Sequence, residues 1–203
     1  MLSVSFERGN GHMIKNWYRG SLIAVVTILL MVTQLGGSSA SASSTPFGPE
    51  RFSTDHATYT ISAQSPYYRR IWQEAIKAWN ETGAFHFQKA DSASAAQVTL
   101  KVASKHEAAA LGEDVGLTEY TAKQSYLQRA TATLNAALLR EYNYSRANQL
   151  AVAEHELGHV MGLAHNPDKH SVMYYRNRSE GIQPVDIQGV KLRYQTPAGQ
   201  ASN

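Results

Sequence analysis

The 203-residue chain contains no cysteine. That absence excludes a disulfide framework and any thiolate ligand for a metal. It also has no dense block of Lys or Arg, so composition gives no footprint for nucleic acid. No internal repeat is present, and no linker marks a second domain. The longest apolar run, Leu22 to Val32, is shorter than the ~20 residues that span a membrane comfortably.

What surrounds that run has the form of an export signal. Lys15 and Arg19 precede it, and Gly36-Gly37-Ser38-Ser39-Ala40-Ser41-Ala42 follows with a small-residue cleavage pattern. Residues 1–42 are therefore expected to be a signal peptide, with Met13 an alternative start that gives more usual proportions. Cleavage implies a secreted protein; an uncleaved segment implies a membrane-anchored one facing outward. Arg8, Lys15 and Arg19 against Glu7 lie in this segment, so the net charge of +3 falls to +1 without it. The Ser- and Ala-rich stretch that follows predicts a flexible leader over 43–55. Residues 56–203 are enough for one domain with its own core.

The chain has only 8 histidines, and three fall in one run, His155-Glu156-Leu157-Gly158-His159-Val160-Met161-Gly162-Leu163-Ala164-His165. Residues four apart share one face of a helix, so His155 and His159 can hold a single metal ion. Gly162 can adopt positive φ, end the helix and return the chain so that His165 becomes a third ligand. Three imidazoles and an open position suit catalytic zinc. Glu156 is not needed as a ligand, which leaves its carboxylate to act as a base on the metal's water. The bland alternative is a His-rich surface helix; the added Gly and third His weigh against it. The pattern points to a zinc peptidase.

Around it, Ala57, Tyr59 and Ile61 alternate as in a strand. Ser65-Pro66 opens a helix with an apolar stripe of Tyr68, Ile71, Trp72, Ala75 and Trp79, ended by Gly83. Phe85 and Phe87 mark a second strand; Val98, Leu100 and Val102 mark a third. Glu107 to Gly116 reads as a short helix or a loop. Leu117 to Ala122 and Leu127 to Leu134 read as strands, and Ala136 to Tyr142 as a helical turn. Ser145 is the expected cap of the metal helix. Its Leu150, Ala153, Leu157, Val160 and Met161 should pack on the domain while the histidines face a cleft. A last helix starts at Pro184, with Ile187, Val190, Lys191 and Tyr194 at helical spacing.

Ser171-Val172-Met173-Tyr174-Tyr175 follows His165 closely. With the long histidine motif, it resembles the metzincin clan, whose tight turn sets a methionine beneath the metal. Asp186-Ile187-Gln188-Gly189-Val190 makes the chain most like a bacterial matrixin-type catalytic domain. The resemblance implies an α+β zincin fold: a twisted, mostly parallel five-stranded sheet with an antiparallel edge strand, a backing helix, the zinc helix and a C-terminal helix. It implies one catalytic Zn2+ on His155, His159 and His165, Glu156 as general base and Met173 as the turn methionine. Asp186 would bond to that turn, or is simply an acidic residue in a helix's first turn. Tyr175, where matrixins often have Pro, would help an oxyanion as in related branches, or is a pocket-wall or core tyrosine.

The resemblance further implies an extended peptide or protein substrate along an edge strand, here the segment Leu117 to Ala122, and a monomer. With no cysteine, thiol-switched latency is ruled out. His106, Glu113 and Asp114 are too sparse for a second zinc or calcium site. Two rival functions use the same residues: a non-proteolytic zinc-binding interaction domain, and a zinc amidase acting on cell-wall peptides.

Overall fold

The computed structural model describes residues 2–5, 44–177 and 179–202. The signal-peptide expectation for 1–42 thus lies outside the described residues, apart from a short strand β1, Leu2–Ser5. The chain continues as β2 (His56–Ile61), α1 (Pro66–Glu81), β3 (His86–Lys89), β4 (Val98–Val102), α2 (Lys105–Ala110), β5 (Gly116–Lys123), β6 (Tyr126–Leu134), α3 (Ala136–Glu141), α4 (Arg146–Val160) and α5 (Pro184–Gln195). The sheet order is β1-β5-β6-β4-β2-β3. Pairs β2/β3, β2/β4 and β4/β6 are parallel, and β5/β6 is antiparallel. This is the expected α+β sheet of five mostly parallel strands with an antiparallel edge. β1 adds antiparallel to the outer side of β5, from Leu2 opposite Tyr120 to Ser5 opposite Leu117.

Parallel strands need long crossovers, and α1 supplies the one from β2 to β3. Pro66 starts it at the first helical position, though the Ser65 side chain makes no cap bond. Its buried stripe is the expected one with Ile76 added. Trp79 donates Nε1–H to the Glu154 carbonyl at 2.9 Å, which pins α1 to α4. Trp72 donates to Lys101 O at 3.2 Å, which pins α1 to β4. The ambiguous stretch after β4 resolves into α2, whose capping box joins Ser104 and Glu107.

The β5–β6 turn is built from Gln124 and Ser125, both at positive φ (51° and 61°). Such a turn usually selects Asn or Gly. Here its carbonyl at Ser125 accepts from Arg51 N, and Leu127 N donates back to Arg51 O. Those bonds come from the segment expected to be a flexible leader, and that expectation needs correcting. Thr45 and Phe52 are fully buried, so the packed domain includes residues 45–52 as well as those from 56. Apolar side chains of this segment, Phe47 and Phe52, belong to the main core.

Two helices also differ from their expected faces. α4 is buried all round from Ala151 to Val160, because α1, the sheet and the turn after His165 enclose it. On α5 the buried residues are Asp186, Gly189, Val190 and Arg193, while Lys191 is exposed. The inward face is largely polar, which is why an apolar stripe misplaced it.

Candidate metal centre

Helix α4 begins with a reciprocal cap: Asn148 N donates to Ser145 Oγ, and Ser145 N donates to Asn148 Oδ1. That start fixes the phase that brings His155 and His159 one above the other, ring centroids 4.7 Å apart. At the other end Gly162 sits at φ 97° and donates to His159 O. A side chain there would meet the Glu50 carbonyl, 2.5 Å from where its Cβ would lie. Only glycine permits both the turn and that approach. The chain then returns His165 to within 5.3 Å and 4.9 Å of the other two rings.

Each of the three imidazoles has one ligand nitrogen within 4.8 Å of the others'. Their hydrogen bonds decide what could lie between them. His155 Nδ1 is 2.6 Å from Val172 O, and His159 Nδ1 is 2.9 Å from Leu163 O. A carbonyl only accepts, so both Nδ1 atoms carry the proton and both Nε2 atoms present lone pairs. Those Nε2 atoms are 3.1 Å apart, and the buried Nε2 of His165 has no hydrogen-bond partner. Burial pushes His155 down to about 3 and His165 to about 4, and His159 falls well below its ordinary value, so the three rings are neutral and each keeps a lone pair. Converging lone pairs in a buried site are the donor set of a soft-to-borderline cation, and a trio of histidines is a zinc set. The residues fit zinc.

Glu156 is fully buried and is not in that group. Thr118 Oγ1 donates to its Oε2 at 2.7 Å and to its backbone carbonyl at 3.1 Å. The carboxylate fills the space over Gly116, where a Cβ would collide with Oε1. Oε1 itself is without a hydrogen-bond partner. Burial raises the Glu156 carboxyl to about 8 against the opposing Thr118 bond, with Asp114 adding a smaller push upward.

Met173 is fully buried beneath α4, its sulfur against the space that a Cβ on Gly158 would occupy. The turn that carries it is held by Asp186, also fully buried. Asp186 accepts from Ser171 Oγ at 2.5 Å, Val172 N at 2.9 Å and Gln183 N at 3.0 Å. Val172 O is the carbonyl that orients His155. Tyr175 stands apart from this network: it is 39% exposed, its ring on Tyr174 and under the Arg176 guanidinium. His170 is exposed and is not in the histidine group.

Sequence reasoning missed Thr118, Gly116 and Gly158. Gly158 lies at an unspecified position inside the motif, and Thr118 on a strand remote in sequence. Only the glycine at a buried helix position carried a signal. A separate concavity of about 350 Å³, lined by Asp55, His56, Asn80 and Phe85 among others, includes none of the residues above. Chemistry, and not volume, locates the site.

Compared with known families, residues 51–195 match the matrixin family model. No curated protein matches the chain.

Proposed function

The chain belongs to the matrixin family of zinc metallopeptidases, and from that premise we propose that it is an exported, monomeric endopeptidase with Glu156 as general base. The observation that carries this reading is the pairing of three unprotonated imidazole nitrogens with an adjacent carboxylate outside the ligand set. Zinc held there supplies Lewis acidity, which acidifies water and polarises a carbonyl.

The protein groups divide the remaining work. His155, His159 and His165 would hold the ion, the Nδ1 bonds of His155 and His159 fixing the orientation of those two rings. Glu156 Oε2 is anchored by Thr118, so Oε1 is the atom free to take a proton from water as its oxygen attacks the scissile carbonyl carbon. The same atom then returns the proton to the leaving amine as the C–N bond breaks. Without a nearby cation burial keeps Glu156 protonated at neutral pH; a dication within a few ångströms favours its ionised form. Thr118 links this base to β5, the antiparallel strand whose outer side pairs with β1. An extended substrate on that edge gains main-chain bonds. The chain's own Leu2–Ser5 pairs there antiparallel, which supports the edge as one that accepts a strand.

The test uses the full chain against a linear peptide library, zinc-loaded and chelated, beside Glu156→Gln. Cleavage should require zinc, and Glu156→Gln should lower kcat by about 10²–10⁴-fold with zinc content unchanged. Zinc-loaded protein that cleaves cell-wall fragments but no linear peptide would overturn the endopeptidase reading. Near-normal turnover in Glu156→Gln would remove Glu156 as base.

A further inference from the structure

The segment Thr45 to Arg51 lies against every loop that orients the three imidazoles, although it contributes no ligand. Its backbone runs antiparallel to the turn between Gly162 and His165. Gly48 N donates to Gly162 O at 2.9 Å, Ala164 N donates to Pro46 O at 2.8 Å, and Phe47 bridges Leu163. Leu163 O is the carbonyl that accepts from His159 Nδ1. Asn166, next to His165, donates Nδ2–H to Thr45 Oγ1 at 2.8 Å, and its own N–H goes to Met173 O. The Thr45 hydroxyl donates in turn to Asp186 Oδ1 at 2.5 Å, beside the bond from Ser171. Asp186 in turn holds Val172, whose carbonyl accepts from His155 Nδ1. One strap thus reaches His159 through Leu163, His155 through Asp186 and then Val172, and the backbone beside His165 through Asn166.

We propose that Thr45–Arg51 is a positioning strap for the metal centre, with Thr45 its key residue, so that seating this segment sets metal affinity. The claim rests on the three histidines binding zinc. Its physical basis is that His165 is borne on a turn and not on a helix. A turn of this kind has few bonds of its own, so the alignment of its imidazole depends on what lies behind it. Thr45 is fully buried and accepts one hydrogen bond while donating another. Valine has nearly the same shape but can do neither, which leaves Asn166 Nδ2 without its acceptor and Asp186 with one donor fewer. Groups that orient metal ligands typically change affinity by about 10–100-fold when removed.

The experiment compares full-length wild type, Thr45→Val, Thr45→Ser and Ile76→Val. Ile76 is a buried residue of α1 and serves as a control for general loss of packing. Zinc affinity is measured by competition with a chromophoric chelator, cobalt(II) absorption reports ligand geometry, and the unfolding midpoint is measured on metal-free protein. Thr45→Val should weaken zinc about 10–100-fold and alter the cobalt bands, Thr45→Ser should restore both, and Ile76→Val should lower the midpoint alone. Wild-type zinc affinity retained in folded Thr45→Val overturns the strap. Failure of the wild type to bind zinc would instead overturn the metal-centre reading itself. Should Thr45→Val not fold, Phe47→Leu loosens the strap where the Phe47 ring packs under the Arg193 guanidinium, without touching Asp186. It should weaken zinc as well, and unchanged affinity there counts against the proposal equally.

Discussion

The hydroxyl of Thr118 is the only hydrogen-bond donor the structure gives the Glu156 carboxylate among the described residues. A donor on a carboxylate favours the ionised form, so this bond opposes the burial that pushes Glu156 up to about 8. Thr118→Val removes it at constant shape. Glu156 should then hold its proton to higher pH, and the acidic limb of a kcat/KM profile should move alkaline, with Thr118→Ser close to wild type. An unmoved limb in Thr118→Val would leave Glu156 positioned by packing alone. At this scale the motif made His155, Glu156, His159, Gly162 and His165 legible because helix periodicity turns their spacing into one face and one turn. Thr118 and Thr45 were illegible for a physical reason. Each acts across the fold, 38 and 141 residues from its partner Glu156 or Asp186, and a lone threonine has no spacing that betrays such a contact.

Elements were legible where local rules and burial agree. The stripe of α1 and the alternation of β2 and β4 are both set by one buried face, and they form where expected. α2 could have been read from Ser104-Lys105-His106-Glu107, a capping box that was present in the sequence. The β5–β6 hairpin had no turn signal, since Gln124 and Ser125 take left-handed conformations only with Arg51 bonded to both sides of the turn. α4 misled because a helix enclosed on all sides has no polar face to find. Its N-terminal cap offers a clean measurement. Ser145→Ala loses the bond to Asn148 N and should cost about 1 kcal/mol of stability, seen as a lower denaturant midpoint. Zinc affinity should stay near wild type, because the cap lies more than two turns from His155. A large affinity loss would mean that the helix start, and not its far end, governs ligand alignment.

At the scale of the whole molecule, the metal centre stores its groups in the protonation states that burial favours. The three imidazoles have folded values below the ordinary 6.5, so on acidification the unfolded chain takes up protons that the folded chain refuses. Their contribution is complete above pH 6.5 and is lost as pH falls toward 4 and below. Glu156 and Glu154 act in reverse, raised from 4.5 to about 8 and about 7, mainly by burial. Their contribution is complete below 4.5 and is lost as pH rises through 7 to 8. The metal-free protein should therefore be most stable at about pH 6, falling on both sides, as denaturant titrations across pH would read. Zinc should raise stability most on the alkaline side of that maximum, since it binds neutral imidazoles and favours ionised Glu156. A maximum far from about pH 6 without zinc would mean that other groups dominate.

Arg193 is fully buried, and its guanidinium is held over the Phe47 ring by the carbonyls of Gly48, Thr196, Pro197 and Gln200. Gly199 N adds a bond to Pro49 O. Residues near 48 and near 198 are thus stitched along one seam. A ribosome releases Gly48 145 residues before Arg193, so during synthesis the stitch can close only after that entire span has emerged.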